Sequence, residues 1–147
     1  MPGRRWWQAM LVAVLVAALP ACARSTPEQQ LRDTVASLQA AVEAREAGAL
    51  RPLLADDFVG PDGLDRDGAV GLARITFLRH RQVGASIVGP LRVQMQTGHA
   101  QVAFDAALTG GSGQLLPDAM RVYSVQTGWR LMDGDWQLTS ATWTPRL

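Results

Sequence analysis

Lysine is absent from this 147-residue sequence, and arginine supplies all 14 basic side chains against 13 acids. There is one cysteine, one tyrosine and two histidines. Each shortage excludes something. A lone cysteine forms no intrachain disulfide, so packing alone must hold the fold. Two histidines and one thiol supply too few ligands for a Cys/His metal site, so neither a metal nor any other cofactor is expected. Near-balanced charge with no basic run leaves no electrostatic footprint for nucleic acid. The apolar run Ala9 to Leu19 has 11 residues, short of the roughly 20 that span a bilayer as a helix.

That run has a second meaning. Arg4 and Arg5 precede it with no acid nearby, and Leu19-Pro20-Ala21-Cys22 closes it. Positive, apolar and small-residue regions in that order form a secretion signal. Its last four residues resemble a bacterial lipobox. The resemblance implies cleavage after Ala21 and a diacylglyceryl thioether on Cys22, anchoring the chain to a lipid bilayer. Ala23 stands where an aspartate would favour the inner membrane. The implied location is therefore the cell envelope, at the outer membrane and facing the periplasm. Residues 1–21 are then a leader, 22–26 the lipidated cysteine and a short tether, and 27–147 one domain. The tether Ala23 to Ser25 reaches only about 10–15 Å, which favours ligands or partners at the membrane. Removing Arg4 and Arg5 leaves 12 basic against 13 acidic side chains.

Beyond the tether the apolar period is helical. Thr26-Pro27-Glu28-Gln29 reads as an N-cap, a first-turn proline and a capping box. Leu31, Val35, Leu38 and Val42 then form one stripe, with Gly48 as the stop signal. A short second helix is expected over Leu50–Ala55, and a turn-rich connection over Asp56–Gly63. Asp65 caps a third helix over about Arg66–Arg79, with Val70, Ala73, Phe77 and either Leu72 or Leu78 inward. Asp62, Asp65 and Asp67 precede Gly68, but no glutamate closes a calcium loop, and capping and turn chemistry account for them.

From Val83 the period becomes two. Val83–Val88 reads as a strand ended by Gly89-Pro90, and Leu91–Gln96 and His99–Thr109 as a hairpin around Thr97-Gly98. That turn opposes Val93 to Val102, Leu91 to Phe104 and Met95 to Ala100, leaving Asp105 on the solvated face. Gly110 to Pro117 reads as a rim loop. Met120–Met132 and Asp135–Thr144 flank Asp133-Gly134, a favoured type I′ pair. This register opposes Leu131 to Trp136, Trp129 to Leu138, Val125 to Thr142 and Gln126 to Ala141.

Three helices followed by a meander predict an α+β domain. The segment Leu54-Ala55-Asp56-Asp57-Phe58 and the hairpin Trp129…Asp133-Gly134-Asp135-Trp136-Gln137-Leu138…Trp143 resemble the nuclear transport factor 2-like (SnoaL-like) superfamily, over roughly residues 27–145. The resemblance implies a cone-shaped, curved antiparallel sheet wrapped around the N-terminal helices, with an apolar pocket at its wide end. Members include isomerases of the ketosteroid type, hydrolases of the limonene epoxide type and non-catalytic binding or dimerising modules. An isomerase of this kind needs a carboxylate base in the pocket and an acid such as tyrosine. In this chain Gly60, before Pro61, stands where that base belongs. Asp57, Asp62 and Tyr123 remain as catalytic candidates, with Asp105 and Arg121 as conceivable partners of Asp57. Phe77, Tyr123, Trp129 and Trp136 are candidates for the pocket or core. With no catalytic residue assigned, the expectation leans to a non-catalytic module that holds a small apolar ligand or engages a protein partner. An isomerase or hydrolase and a purely structural homodimer are the alternatives.

Overall fold

The computed structural model describes residues 25–80, 84–110 and 119–146. The expected leader (1–21), Cys22 and residues 111–118 of the expected rim loop lie outside them. No helix among the described residues is long and apolar enough to cross a membrane.

Helix α1 (Pro27–Glu43) starts where its cap is. Thr26 Oγ1 accepts from Gln29 N at 3.1 Å. The Gln29 side chain donates to Asp33 at 2.9 Å instead, so Thr26 caps the helix without a reciprocal glutamine bond. Leu31 and Val35 are fully buried, and Leu38 and Val42 pack beside them. The helix ends before Gly48. Arg45 takes the left-handed conformation (φ 60°), its N–H donating to Val42 O and that of Glu46 to Ala41 O. These two bonds form a Schellman stop with arginine in the place glycine usually takes. The Arg45 guanidinium also donates to His80 O at 2.8 Å. Gly48 falls inside the next helix, α2 (Ala47–Leu50).

The region after α2 differs most from the sequence reading. A 3-10 turn (Arg51–Leu53) leads into strand β1 (Leu54–Val59), where the sequence suggested a helix and then a turn. Pro52 has no N–H to extend a helix, and β1 finds a parallel partner, Leu54 opposing Leu138 and Val59 opposing Ser140. Such a partner is invisible to local periodicity. Helix α3 (Arg66–Arg79) begins as expected, with Asp65 Oδ1 accepting from Gly68 N at 2.7 Å. Val70 is buried, and Ala73 and Phe77 are partly so. Leu72 and Leu78 are both exposed, at 49% and 73%.

Strands β2 (Gly84–Gln96), β3 (His99–Gly110), β4 (Ala119–Met132) and β5 (Asp135–Pro145) complete one sheet of order β1-β5-β4-β3-β2. Only the β1–β5 pair is parallel. The two strands expected on either side of Gly89-Pro90 are one, β2. Three of its residues, 89–91, bulge out between the pairs Val88–Asp105 and Arg92–Ala103, so Leu91 does not face Phe104 in simple register. Gly89 takes φ 76° there, and an edge strand tolerates the missing N–H of Pro90.

The closing hairpin has the expected turn, with Asp133 and Gly134 both at positive φ, and the expected pairs Leu131–Trp136 and Trp129–Leu138. Beyond them the register shifts by one. Thr139 is extra, so Gly128 faces Ser140, Gln126 faces Thr142 and Val125 faces Trp143. Gly128 makes room for this. A Cβ there would lie 2.6 Å from Ser140 Oγ and 3.2 Å from Thr139 Oγ1. The helices cover one sheet face, and Leu31, Val35, Trp129 and Trp136 fill the closed end of the resulting cone.

Candidate functional site

The bulge at Thr139 shapes the interior. In uninterrupted alternation Trp136 and Leu138 would be followed inward by Ser140 and Thr142. One extra residue turns Ala141 and Trp143 inward instead, since inserting a residue reverses which side chains face the core. Ala141 and Trp143 line an apolar cavity of about 340 Å³ between the sheet and α3. From α1 it takes Leu38 and Val42, from β1 Leu54 and Phe58, and from α3 Ala69, Ala73, Thr76 and Phe77. Phe104, Val125, Thr127 and Leu138 form the sheet wall.

Among the described residues Thr127 is the one buried polar residue, and its hydroxyl is already engaged. It donates to Val102 O at 2.7 Å and accepts from Trp129 Nε1 at 2.8 Å. Among the described residues, no ionisable side chain lines this cavity. Leu64, Leu72 and Trp143 form its rim and are shared with an outer depression beside Pro61 to Asp65. Leu72 and Trp143 are about half exposed, so the cavity opens past them.

The catalytic candidates lie elsewhere. Asp57 points to the outer face, where Arg130 Nη2 contacts both its oxygens at 2.8 and 3.0 Å. That hydrogen bond holds the Asp57 carboxyl below the ordinary value of 3.8, which suits a surface ion pair and not a base awaiting a proton. Asp62 is exposed, in the left-handed conformation (φ 57°), and borders only the outer depression. Tyr123 is half-buried, opposite Ala106 and Pro145, and is not among the cavity residues. Arg130 and Tyr123 are seven positions apart on β4, roughly 23 Å at the strand rise. Asp57 and Tyr123 therefore do not form an acid–base pair.

Asp105 lies on the outer face, but it is bound more than solvated. Arg146 holds it at 2.8 Å and Ser124 Oγ contacts it at 3.4 Å. Arg121, opposite Leu108 and exposed, stands apart from Asp57. Of the aromatic candidates, Phe77 lines the cavity. Trp129 and Trp136 are buried below it in the closed end, at 1% and 3% exposure. Asp65 caps α3, and Asp67 pairs with Arg51, which accounts for the acids before Gly68.

Sequence reasoning missed Trp143, Ala141 and Leu64 as cavity residues. The first two left a trace: the apolar positions 136 and 138 are even while 141 and 143 are odd, the mark of a bulge.

An α+β cone with a five-stranded curved sheet and an apolar pocket is the nuclear transport factor 2-like fold, and solved structures match it. One is an NTF2-like superfamily protein of Salmonella enterica, 12% identical, covering 81% of this chain and 90% of its own, TM-score 0.69. Another is an NTF2-like protein of Cytophaga hutchinsonii, 15% identical, with 83% and 100% covered, TM-score 0.64. A third, from Streptomyces avermitilis, carries the description of a candidate dehydratase of the NTF2-like family (17% identical, 83% and 99% covered, TM-score 0.68). At such identities the likeness is one of fold, which serves both binding and enzymatic proteins. No protein-family model and no curated protein matches the chain.

Proposed function

We propose that this chain is a lipoprotein anchored through Cys22, facing the periplasm, that holds a small apolar molecule in its cone without transforming it. On this reading residues 1–21 are removed, 22–26 carry the lipid and the tether, and 27–147 are the binding domain. One observation carries the ligand reading: the cavity is open and apolar, and among the described residues no ionisable side chain lines it. General acid–base chemistry needs a titratable group within hydrogen-bond reach of the substrate. Asp57, Asp62 and Tyr123 do not offer one there. The volume of about 340 Å³ lies at the small end of ligand sites, which run from about 300 to 1,000 Å³.

N-phenyl-1-naphthylamine, a neutral apolar fluorophore, tests the site. It should bind saturably with one site per chain. Ala73→Trp, which projects an indole into the cavity from α3, should abolish that binding while leaving the circular dichroism spectrum unchanged. Binding that survives Ala73→Trp would show that the probe sits elsewhere and would remove the cone as the ligand site.

A further inference from the structure

The N-terminus of α1 and the mouth of the cavity lie at opposite ends of the cone. Trp136 Nε1 donates to Pro27 O at 3.0 Å, which pins the first turn of α1 to the start of β5 at the closed end. The cavity begins only at Leu38 and Val42, in the second half of this 17-residue helix. At about 1.5 Å per residue the helix is roughly 25 Å long. The strand gives a similar length independently. Trp143, on the rim, lies opposite Val125 and Trp136 opposite Leu131, six positions apart on β4 and about 20 Å at the strand rise. Strand β1 runs parallel to β5, so its exit at Gly60 to Leu64 reaches the same far end as Trp143, and Leu64 and Trp143 meet at the rim.

From this geometry we infer that the anchored domain carries its cavity mouth away from the bilayer holding Cys22, and takes its apolar ligand from the aqueous side. The inference rests on the anchored, ligand-holding reading above. Length decides it. Turning the mouth onto the anchoring membrane would raise Pro27 by roughly 20–25 Å, the span of β5 to its rim or the length of α1. The five residue steps from Cys22 to Pro27 reach about 17–18 Å at full extension. An upright or tilted cone satisfies the tether, and an inverted one does not. The short tether alone suggests ligands drawn from the membrane beneath. Combined with the place where α1 begins, it points the opposite way. A ligand from the protein's own leaflet would have to leave the bilayer and pass the length of the cone before meeting Leu72 and Trp143.

The test uses the full lipidated protein in phosphatidylcholine vesicles doped with a rhodamine-labelled phosphatidylethanolamine. Acylated Cys22 does not react with maleimides, so Gln29→Cys and Thr144→Cys each accept one donor dye. Both positions are exposed, one on the first turn of α1 and one next to Trp143. Quenching by the lipid acceptor should be several-fold stronger at 29 than at 144, and equal or reversed quenching overturns the inference. A polyethylene glycol maleimide at position 144 should slow uptake of N-phenyl-1-naphthylamine, read through quenching of tryptophan emission, and the same polymer at 29 should not. Slowing at 29 alone would place entry on the membrane side and also overturn it. Cys22→Ser should leave the vesicles on flotation. If it floats with them, the anchor fails and the inference with it. If the fluorophore does not bind while quenching stays ordered 29 over 144, the ligand reading falls and the orientation stands.

Discussion

The indole of Trp129 is 1% exposed, and its Nε1–H donates to the Thr127 hydroxyl, which donates in turn to Val102 O. This short relay lets a polar residue sit beneath an apolar cavity with no bond left unmade, because a buried hydroxyl without partners costs about 1–3 kcal/mol. Truncating Trp129 removes a large buried surface and one donor together. We expect Trp129→Ala to lower stability by about 3–5 kcal/mol, read as a shift of the urea midpoint. Trp129→Phe should cost clearly less, since the ring still fills the closed end and Thr127 keeps Val102 O as an acceptor. A midpoint unchanged in Trp129→Ala would mean that the indole does not hold the closed end. The Asp57–Arg130 pair is the contrasting residue-scale case. With Asp57 65% exposed, its contribution is at the small end for surface pairs.

At the scale of elements, α1, α3 and both hairpin turns were legible, because each carries its own local signal. Thr26 and Asp65 cap helices, the stripe of Leu31, Val35, Leu38 and Val42 has helical spacing, and Asp133-Gly134 suits a positive-φ pair. What was not legible depends on distant partners. Leu54–Val59 becomes a strand because β5 offers it an edge, and Arg45 ends α1 where Gly48 looked the better stop. For the candidate site, Phe77 and the inner stripe of α1 could be read in advance. Trp143 and Ala141 showed only as the switch of apolar positions from even to odd, because the bulge at Thr139 inverts every later position of β5. Gly128 is the residue that admits this bulge. In Gly128→Ala the new methyl meets Ser140 Oγ at 2.6 Å, and overpacking of this sort costs about 1–3 kcal/mol. Removing that oxygen with Ser140→Ala should recover much of the loss, a coupling measurable in a double-mutant cycle. Additive losses would show that the hydroxyl is not the obstruction.

The whole molecule divides into a packed end and an open end. Below the cavity, α1, β4 and β5 share the buried Leu31, Val35, Trp129 and Trp136. Above it, α3 has Val70 as its single buried residue, and its Leu72, Ile75 and Leu78 are exposed. The cavity separates part of α3 from the sheet, so α3 closes the cone with little packing of its own. Local opening is cheapest where few apolar contacts would be lost. Amide hydrogen exchange should therefore be fastest, among the helices of four or more turns or nearly so, in α3, and slowest in the first half of α1 and in β4. Occupying the cavity with N-phenyl-1-naphthylamine adds contacts to Ala69, Ala73 and Phe77, which line it. Ligand binding should then slow exchange in α3 more than in α1, since a ligand that binds only the closed form stabilises that form by mass action. Exchange in ligand-free α3 as slow as in α1 would refute this division, and so would ligand protection spread evenly along the chain. A helix that tightens on its ligand at the end farthest from Pro27 would make α3 the moving part of the site, with the closed end as its fixed support.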